Sequence, residues 1–164
     1  MTDHPEISVV VPVMNEAGNI QPLIHAIDAA FAKRSIEIIY VNDASTDSTL
    51  DELKAEKAKC KHLRVITHSK RSGQSAALRT GIFAARADRI ATLDGDGQNP
   101  PADLVDLEQA WKSAKQQHML VMAAGVRQKR QDNLGKRMAS RWAKRLRAWL
   151  LGDSHPDSGC GIKV

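Results

Sequence analysis

Aromatic residues are scarce, at 4% of the 164-residue sequence, while hydrophobic residues as a whole make up 42%. A core built from this chain must therefore consist mainly of Val, Ile, Leu and Ala. No low-complexity stretch and no internal repeat is present, which argues against a repeat architecture. We therefore expect a single globular domain over residues 1–164.

Cysteine is equally scarce, since only Cys60 and Cys160 occur. Two cysteines so far apart predict neither a disulfide framework nor a metal site, and they fit a reducing compartment.

No apolar run approaches the roughly 20 residues of a membrane span, and the first residues lack the basic and apolar regions of a signal peptide. The expectation is a cytoplasmic chain, soluble or peripheral to a membrane.

The positive charge is unevenly distributed. Nine of the 24 Lys and Arg residues, but only one of the 19 acidic residues, lie between Arg127 and Arg147. The remaining 15 basic and 18 acidic residues give the rest of the chain a net charge of −3. A strongly basic segment on a mildly acidic body indicates a partner rich in phosphate, such as an anionic membrane face or nucleic acid.

Short β-branched runs alternate with segments of helical periodicity. This alternation predicts a mostly parallel sheet with helices on both faces. Ligands of such sheets bind at the carboxyl ends of the strands. The predicted strands are 7–13, 36–41, 63–67, 89–93 and 119–123, and the predicted helices are 20–31, 47–61, 72–87 and 102–116.

Polar clusters follow three of these strands: Asn15-Glu16, Asn42-Asp43 and Asp94-Gly95-Asp96-Gly97-Gln98. Two carboxylates separated by one glycine can converge on a hard cation, and the amide of Gln98 adds a neutral oxygen. Such a donor set suits Mg²⁺ or Mn²⁺ shared with substrate phosphates. The alternative is a solvated turn, because Asp and Gly favour turns.

The Asn42-Asp43 cluster and the segment at Ser72-Gly73 allow similar alternatives. An acceptor at Asp43 could bind a nucleotide base or a ribose hydroxyl, whereas Ser45 or Asp47 could simply cap the following helix. The segment that opens a helix at Ser72-Gly73 could hold an anion at the helix N-terminus, although it lacks the spacing of a phosphate-binding P-loop.

Four motifs, in order and at sensible spacing, resemble glycosyltransferase family 2. The closest resemblance is to the polyprenyl-phosphate group, which includes dolichyl-phosphate mannose synthase. The segments Gly125–Asp132 and Asp157–Lys163 strengthen that choice. The motifs are Val9-Val10-Val11-Pro12-Val13-Met14-Asn15-Glu16, Val41-Asn42-Asp43-Ala44-Ser45-Thr46-Asp47, Gly73-Gln74-Ser75-Ala76-Ala77-Leu78-Arg79-Thr80-Gly81 and Asp94-Gly95-Asp96-Gly97-Gln98-Asn99-Pro100-Pro101.

The resemblance implies a GT-A fold and an inverting transferase. The enzyme would move a hexose of the mannose or glucose type from a GDP- or UDP-sugar to a polyprenyl phosphate at the cytoplasmic membrane face. It also implies the residues that bind the nucleotide sugar and the Mg²⁺ or Mn²⁺ ion. The nucleotide-sugar set is Pro12, Asn15, Glu16, Asp43, Asp94, Asp96 and Gln98, and the metal set is Asp94, Asp96 and Gln98.

On the acceptor side, the resemblance makes Asp96 and Arg127 the catalytic pair. It places Arg127, Arg130, Lys136, Arg137 and Ser140 at the acceptor phosphate. The sequence departs from the family in having Asn42-Asp43-Ala44-Ser45 in place of Asp-Asp-Gly-Ser, and Asp94-Gly95-Asp96 in place of Asp-Ala-Asp. Both changes retain the key acid. The chain also stops at Val164, where relatives continue, so it looks short at the C-terminus.

A basic amphipathic helix is predicted over residues 134–151. One side carries the apolar residues, Trp142 and Trp149 among them, and the other carries Lys and Arg. This pattern suits a membrane interface with anionic lipid. The alternative is an ordinary surface helix whose apolar stripe packs on the sheet.

Rival functions remain open. A family-2 transferase with a carbohydrate acceptor would need a general base, and many carry a Gln-x-x-Arg-Trp motif that is absent here. A truncated, non-catalytic nucleotide-sugar-binding module is the alternative from another class. A receiver domain is more distant, since Ala123-Ala124-Gly125 stands where a Lys is expected. Nucleic acid is disfavoured because no recognition motif is present.

Overall fold

The computed structural model describes residues 4–32, 34–115, 122–125 and 161–164. Within them the four strands form one parallel sheet in the order β3-β2-β1-β4. This arrangement confirms the predicted α/β class. The elements, in chain order, are β1 (Ile7–Val13), α1 (Ile20–Ala30), β2 (Ile36–Asn42), α2 (Thr49–Lys59), β3 (Leu63–Thr67), α3 (Gln74–Ala84), β4 (Ile90–Thr92) and α4 (Ala102–Lys115).

Strand β1 is the centre of the sheet. It pairs in parallel with β2 from Ile7↔Ile36 to Val13↔Asn42, and with β4 on its other side. All seven residues of β1 are buried. Because successive side chains of a strand point to opposite faces, both faces of β1 are covered. This explains why the strand is apolar except for Ser8, whose hydroxyl donates a hydrogen bond to the buried Glu37.

One face of the sheet is covered by α3. Val10, Ile39 and Val41 form a buried cluster with Ala77 of this helix. The helix lies so close to β1 that a Cβ at Gly81 would overlap the side chain of Val10. The absence of a side chain at Gly81 therefore sets the distance between α3 and β1.

The strand order contains a reversal of direction. The chain moves outward from β1 to β2 and β3, and then crosses back to place β4 on the opposite side of β1. The point between β1 and β4 is therefore a topological switch point. Open α/β sheets bind ligands in the crevice beyond the strand ends at such a point.

Helix α3 ends at Ala84, three residues earlier than predicted, because a buried polar cluster takes the next backbone groups. The N–H of Arg86 donates to Glu37 Oε1 at 2.6 Å, and the N–H of Ala87 donates to Ser8 Oγ at 3.1 Å. Ala85 is correspondingly extended, with φ −64° and ψ 140°. The periodicity of the sequence cannot reveal this competition for backbone donors.

A short segment at residues 161–164, which was not predicted, runs antiparallel beside β4. Lys163 forms antiparallel bridges with both Thr92 and Ala124. Ala123 and Val164 exchange backbone hydrogen bonds of 2.8 and 2.9 Å.

Residues 119–121 of the predicted fifth strand and the predicted helix over 134–151 lie outside the described residues. Among the helices that are described, none is long and apolar enough to cross a membrane.

We expect Glu37 to govern stability in acid. This fully buried carboxylate accepts hydrogen bonds from Ser8 Oγ (2.6 Å), Arg64 Nη1 (3.0 Å) and Arg86 Nε (3.0 Å). Burial alone would raise the pKa of Glu37, but these bonds and the N–H of Arg86 outweigh it and lower the pKa to about 2. The stabilisation is therefore complete above the ordinary pKa of 4.5 and is lost as the pH falls towards 2.

Glu37→Gln should lower the free energy of unfolding at pH 7 by about 2–3 kcal/mol, because it leaves two arginines without their buried anion. The difference from the parent should shrink as the pH falls from 4.5 towards 2. Urea unfolding across that range measures it, with the exposed Asp51→Asn as the matched control. A constant difference at all pH values would contradict the assignment.

Candidate functional site

A cleft of about 390 Å³ lies at the carboxyl ends of β1, β2 and β4. Five of the predicted site residues line it: Pro12, Glu16, Asp43, Asp94 and Asp96. They come from three strand ends that are far apart in sequence, and the parallel sheet brings those ends to one edge. The cleft therefore lies at the switch point where the topology predicts a ligand.

Asp43 follows β2 and binds the start of α3. Its Oδ1 accepts the N–H of Ser72 at 2.8 Å, and its Oδ2 accepts the N–H of Gly73 at 2.7 Å. The anion at this helix N-terminus is thus a side chain of the protein itself. Gly73, with φ +92°, adopts the left-handed backbone that turns its N–H towards the carboxylate.

His68 gives Asp43 a third donor. Its Nδ1 lies 2.7 Å from Asp43 Oδ1, and its Nε2 lies 2.9 Å from Thr80 Oγ1. Burial alone would raise the pKa of the Asp43 carboxyl, but the bonds from His68, Ser72 and Gly73 hold it below its usual value. The cleft therefore contains a fixed, ionised carboxylate.

The loop after β1 is held by the loop after β2. Asn15 has φ +58°, its N–H donates to Ser45 Oγ at 3.0 Å, and its side chain accepts the N–H of Thr46 at 2.8 Å. The N–H of Glu16 donates to Thr49 Oγ1 at 2.9 Å. These bonds position Glu16 at the cleft wall, while Asn15 is exposed and joins the two loops.

Asp47 directly precedes Ser48, the N-cap residue of α2, and its side chain accepts the first N–H group of that helix. Its Oδ1 accepts the N–H of Thr49 at 3.0 Å, and its Oδ2 accepts the N–H of Ala17 at 3.2 Å. The pKa of Asp47 is lowered, chiefly by a hydrogen bond from the Thr49 side chain and further by these two N–H groups. The capping explanation thus applies to Asp47, whereas Asp43 belongs to the cleft.

The loop after β4 carries the two paired acids. A Cβ at Gly95 would overlap Val13 and lie 3.0 Å from the Pro12 carbonyl oxygen, so only glycine lets this loop approach β1 so closely. Asp94 Oδ1 accepts the side-chain amide of Gln74 at 2.9 Å. Asp96 Oδ1 accepts the N–H of Gln98 at 3.0 Å. Both carboxylates line the cleft, whereas the Gln98 side chain is exposed and does not.

The C-terminal segment contacts the same acids. A Cβ at Gly161 would overlap the Asp94 carboxylate, so this backbone lies directly against it. The Gly161 carbonyl accepts a hydrogen bond from Thr92 Oγ1 at 2.8 Å. Gly161 therefore supports Asp94 from a position 67 residues further along the chain.

Sequence reasoning missed several contributors to the cleft. Arg71, Gly73 and Gln74 line it beside the predicted residues. The available signal was the Lys70-Arg71-Ser72-Gly73-Gln74 segment, which the sequence marked only as a possible anion site. Nothing in the sequence marked His68 or the approach of Gly161. Arg127, Arg130, Lys136, Arg137 and Ser140 lie outside the described residues, so their roles stay predictions.

Comparison with known proteins identifies the family. The family model described as "Glycosyl transferase family 2" matches residues 8–161. The dodecaprenyl-phosphate galacturonate synthase of Rhizobium johnstonii is 35% identical over 97% of this chain and 47% of the relative. The undecaprenyl-phosphate 4-deoxy-4-formamido-L-arabinose transferase of Klebsiella pneumoniae is 33% identical over 97% of this chain and 48% of the relative. The chain thus spans about half the length of the curated relatives it matches.

Solved structures agree on the fold. The glucosyl-3-phosphoglycerate synthase of Mycobacterium tuberculosis, in complex with uridine diphosphate, superposes with a TM-score of 0.69 at 22% identity, over 97% of this chain and 56% of that chain. A mannosyltransferase from Pyrobaculum calidifontis, in complex with GDP-Man and Mn²⁺, gives a TM-score of 0.55 at 25% identity, over 62% and 30%. The sheet therefore has the architecture of these transferases.

We expect the Asp43 carboxylate to be essential for the shape of the cleft. Asp43→Asn replaces one acceptor oxygen with an NH₂ group that would face a donor, so the start of α3 loses a charge-assisted bond. The free energy of unfolding at pH 7 should fall by about 2 kcal/mol. The loss should shrink below pH 3.8, the ordinary pKa, as the parent's own carboxylate becomes protonated.

Denaturant titration of the parent and Asp43→Asn measures this effect. Asp88→Asn, at an exposed aspartate, is the matched control and should leave the midpoint unchanged. An Asp43→Asn variant as stable as that control at neutral pH would show that the carboxylate does not hold the helix.

Proposed function

The chain belongs to glycosyl transferase family 2, and we propose that it provides the donor-binding part of a transferase that moves a sugar from a nucleotide sugar to a polyprenyl phosphate. One observation carries the proposal: Asp43, which follows β2, lines one cleft with Asp94 and Asp96, which follow β4, at the switch point of the sheet. The two relatives described above are named for dodecaprenyl phosphate and undecaprenyl phosphate, which supports the acceptor class.

The nucleoside end of the donor is assigned to the side of the cleft that contains Pro12, Glu16 and Asp43. An ionised carboxylate has about four acceptor positions, and Asp43 uses three of them within the protein. The remaining position can accept from a base N–H or a ribose hydroxyl. Because the other bonds fix the carboxylate, it need not reorganise when the nucleoside binds.

The diphosphate end is assigned to Asp94 and Asp96. The two carboxylates line the cleft together, and hard oxygen donors of this kind suit Mg²⁺ or Mn²⁺, so the residues present fit such an ion. When bound, the ion would neutralise the charge that develops on the leaving diphosphate. Gln74 and the Gly161 backbone hold Asp94 in place. The assignment of Gln98 as a further ligand stays a prediction, because its side chain lies outside the cleft lining.

The acceptor is assigned to the basic segment that follows the described sheet. A polyprenyl phosphate is already anionic at neutral pH, so it needs positioning and charge compensation rather than a general base. Arg127, Arg130, Lys136, Arg137 and Ser140 can supply these functions. The same segment includes the predicted amphipathic helix, which would hold the protein at the cytoplasmic face of an anionic membrane.

Two donor classes, GDP-linked and UDP-linked sugars, are candidates, since one structural neighbour holds GDP-Man and another holds UDP. A second candidate function needs only the cleft, whose acids Asp43, Asp94 and Asp96 are assigned to the donor. A chain of this kind could bind a nucleotide sugar without transferring it. A carbohydrate acceptor is the remaining enzymatic alternative.

The test is transfer of labelled sugar from GDP- and UDP-sugars, with Mn²⁺, to a short polyprenyl phosphate and, in parallel, to a free sugar. We expect transfer to the lipid phosphate alone. Asp96→Ala and Arg127→Ala should each reduce it by about 100-fold, since each removes charge stabilisation of the leaving group. Asp88→Asn should retain the activity of the parent.

The outcomes separate the candidates. Transfer to the free sugar with an inert lipid phosphate would favour the carbohydrate acceptor. Nucleotide-sugar binding without transfer to either acceptor would favour the binding module. Asp96→Ala at full activity would remove the metal assignment.

A further inference from the structure

A second convergence of ligand side chains lies at the opposite end of the sheet. Asp28 belongs to α1, Cys60 directly follows α2, and His62 directly precedes β3. One ligand atom from each lies within 4.8 Å of the other two. These residues are near the amino end of β3, whereas the cleft is at the carboxyl ends. We propose that Asp28, Cys60 and His62 form a zinc-class divalent metal site that joins α1 to the α2–β3 connection.

The distances approach those of a metal site. Cys60 Sγ lies 3.3 Å from His62 Nε2, and His62 Nε2 lies 2.7 Å from Asp28 Oδ1. Tetrahedral zinc, with bonds of about 2.3 Å to sulfur and about 2.0 Å to nitrogen or oxygen, separates its ligands by roughly 3.3–3.5 Å. The Cys60–His62 separation already matches this range, and the His62–Asp28 separation would have to increase by roughly 0.6 Å. Sulfur, imidazole and carboxylate ligands together suit Zn²⁺, and a water could occupy the fourth position.

The geometry argues against a catalytic relay of the same three residues. In such a relay the histidine uses one ring nitrogen for the thiol and the other for the carboxylate. Here the thiol and the carboxylate both contact Nε2 of His62. Three ligands that surround one point instead suit a shared cation.

The site is also accessible. The side chains of His62 and Asp28 are 40% and 38% exposed, and Cys60 is partly buried. An ion can therefore enter without unfolding the chain. Because Asp28 and Cys60 are 32 residues apart, a bound ion would close a long loop and stabilise the folded state.

Cobalt titration tests the proposal directly. In a Cys160→Ser background, where Cys60 is the only thiol, one equivalent of Co²⁺ should produce a near-ultraviolet thiolate-to-cobalt charge-transfer band, and Zn²⁺ should displace it. Cys60→Ser should abolish the band, and His62→Ala should weaken the affinity at least about tenfold. Asp96→Ala, in the cleft, should leave the band unchanged.

Two further measurements keep the test decisive if a variant folds poorly. Zn²⁺ should slow alkylation of Cys60 by iodoacetamide in the Cys160→Ser protein. It should also raise the Tm of that protein without raising the Tm of its Cys60→Ser derivative. Absence of the band in well-folded Cys160→Ser protein, or a band that persists after Cys60→Ser, would overturn the proposal.

Discussion

The parallel pairing of β1 with a strand on each side is the constraint on which the described architecture depends. It requires β1 to be largely apolar on both faces, which explains why five of its seven residues are Val or Ile. It also brings the carboxyl ends of β1, β2 and β4 to one edge. The acids that follow these strands are consequently neighbours in space although up to about 80 residues separate them in sequence.

Close backbone approach then shapes the cleft. Gly95 lets the acidic loop pack against the end of β1, and Gly161 lets the returning C-terminal segment lie against Asp94. Asp43 fixes the start of α3 from the middle of the cleft. Asp43 and Asp94 therefore take part in the packing of the fold and also line the proposed donor site. A substitution at Asp43 would change stability and binding together, which makes the exposed Asp88 a useful control.

The sequence predicted the parts of the fold that depend on local pattern. The strands β1 and β3 lie at the predicted bounds, and the other described strands and helices differ by at most a few residues. The early end of α3 could not be predicted, because it depends on Glu37 and Ser8, which contact it from about 50 and 80 residues away. The antiparallel return of Gly161–Val164 depends in the same way on the distant Thr92.

The predicted site likewise divides into residues that local pattern reveals and residues that matter only through distant contacts. Acids that directly follow a strand, such as Asp43, Asp94 and Asp96, were identifiable from position and chemistry. His68 and Gln74 were not, because each matters only through a contact made by the fold. The proximity of Asp28 to Cys60 and His62 is a further example, since spacing in the sequence indicates no metal site there. Residues that act through a long-range partner are thus the ones that pattern cannot reveal.

On the proposed function, a divalent ion and a nucleoside diphosphate bind together in the cleft at the switch point. The most direct measurement is paramagnetic broadening of amide NMR signals by Mn²⁺ in the presence of GDP or UDP. We expect the broadening to be strongest for Gly95–Gln98 and Met14–Glu16, and we expect Asp96→Ala to remove it. Broadening centred instead on Asp28 and His62, with the cleft signals unaffected, would contradict the account.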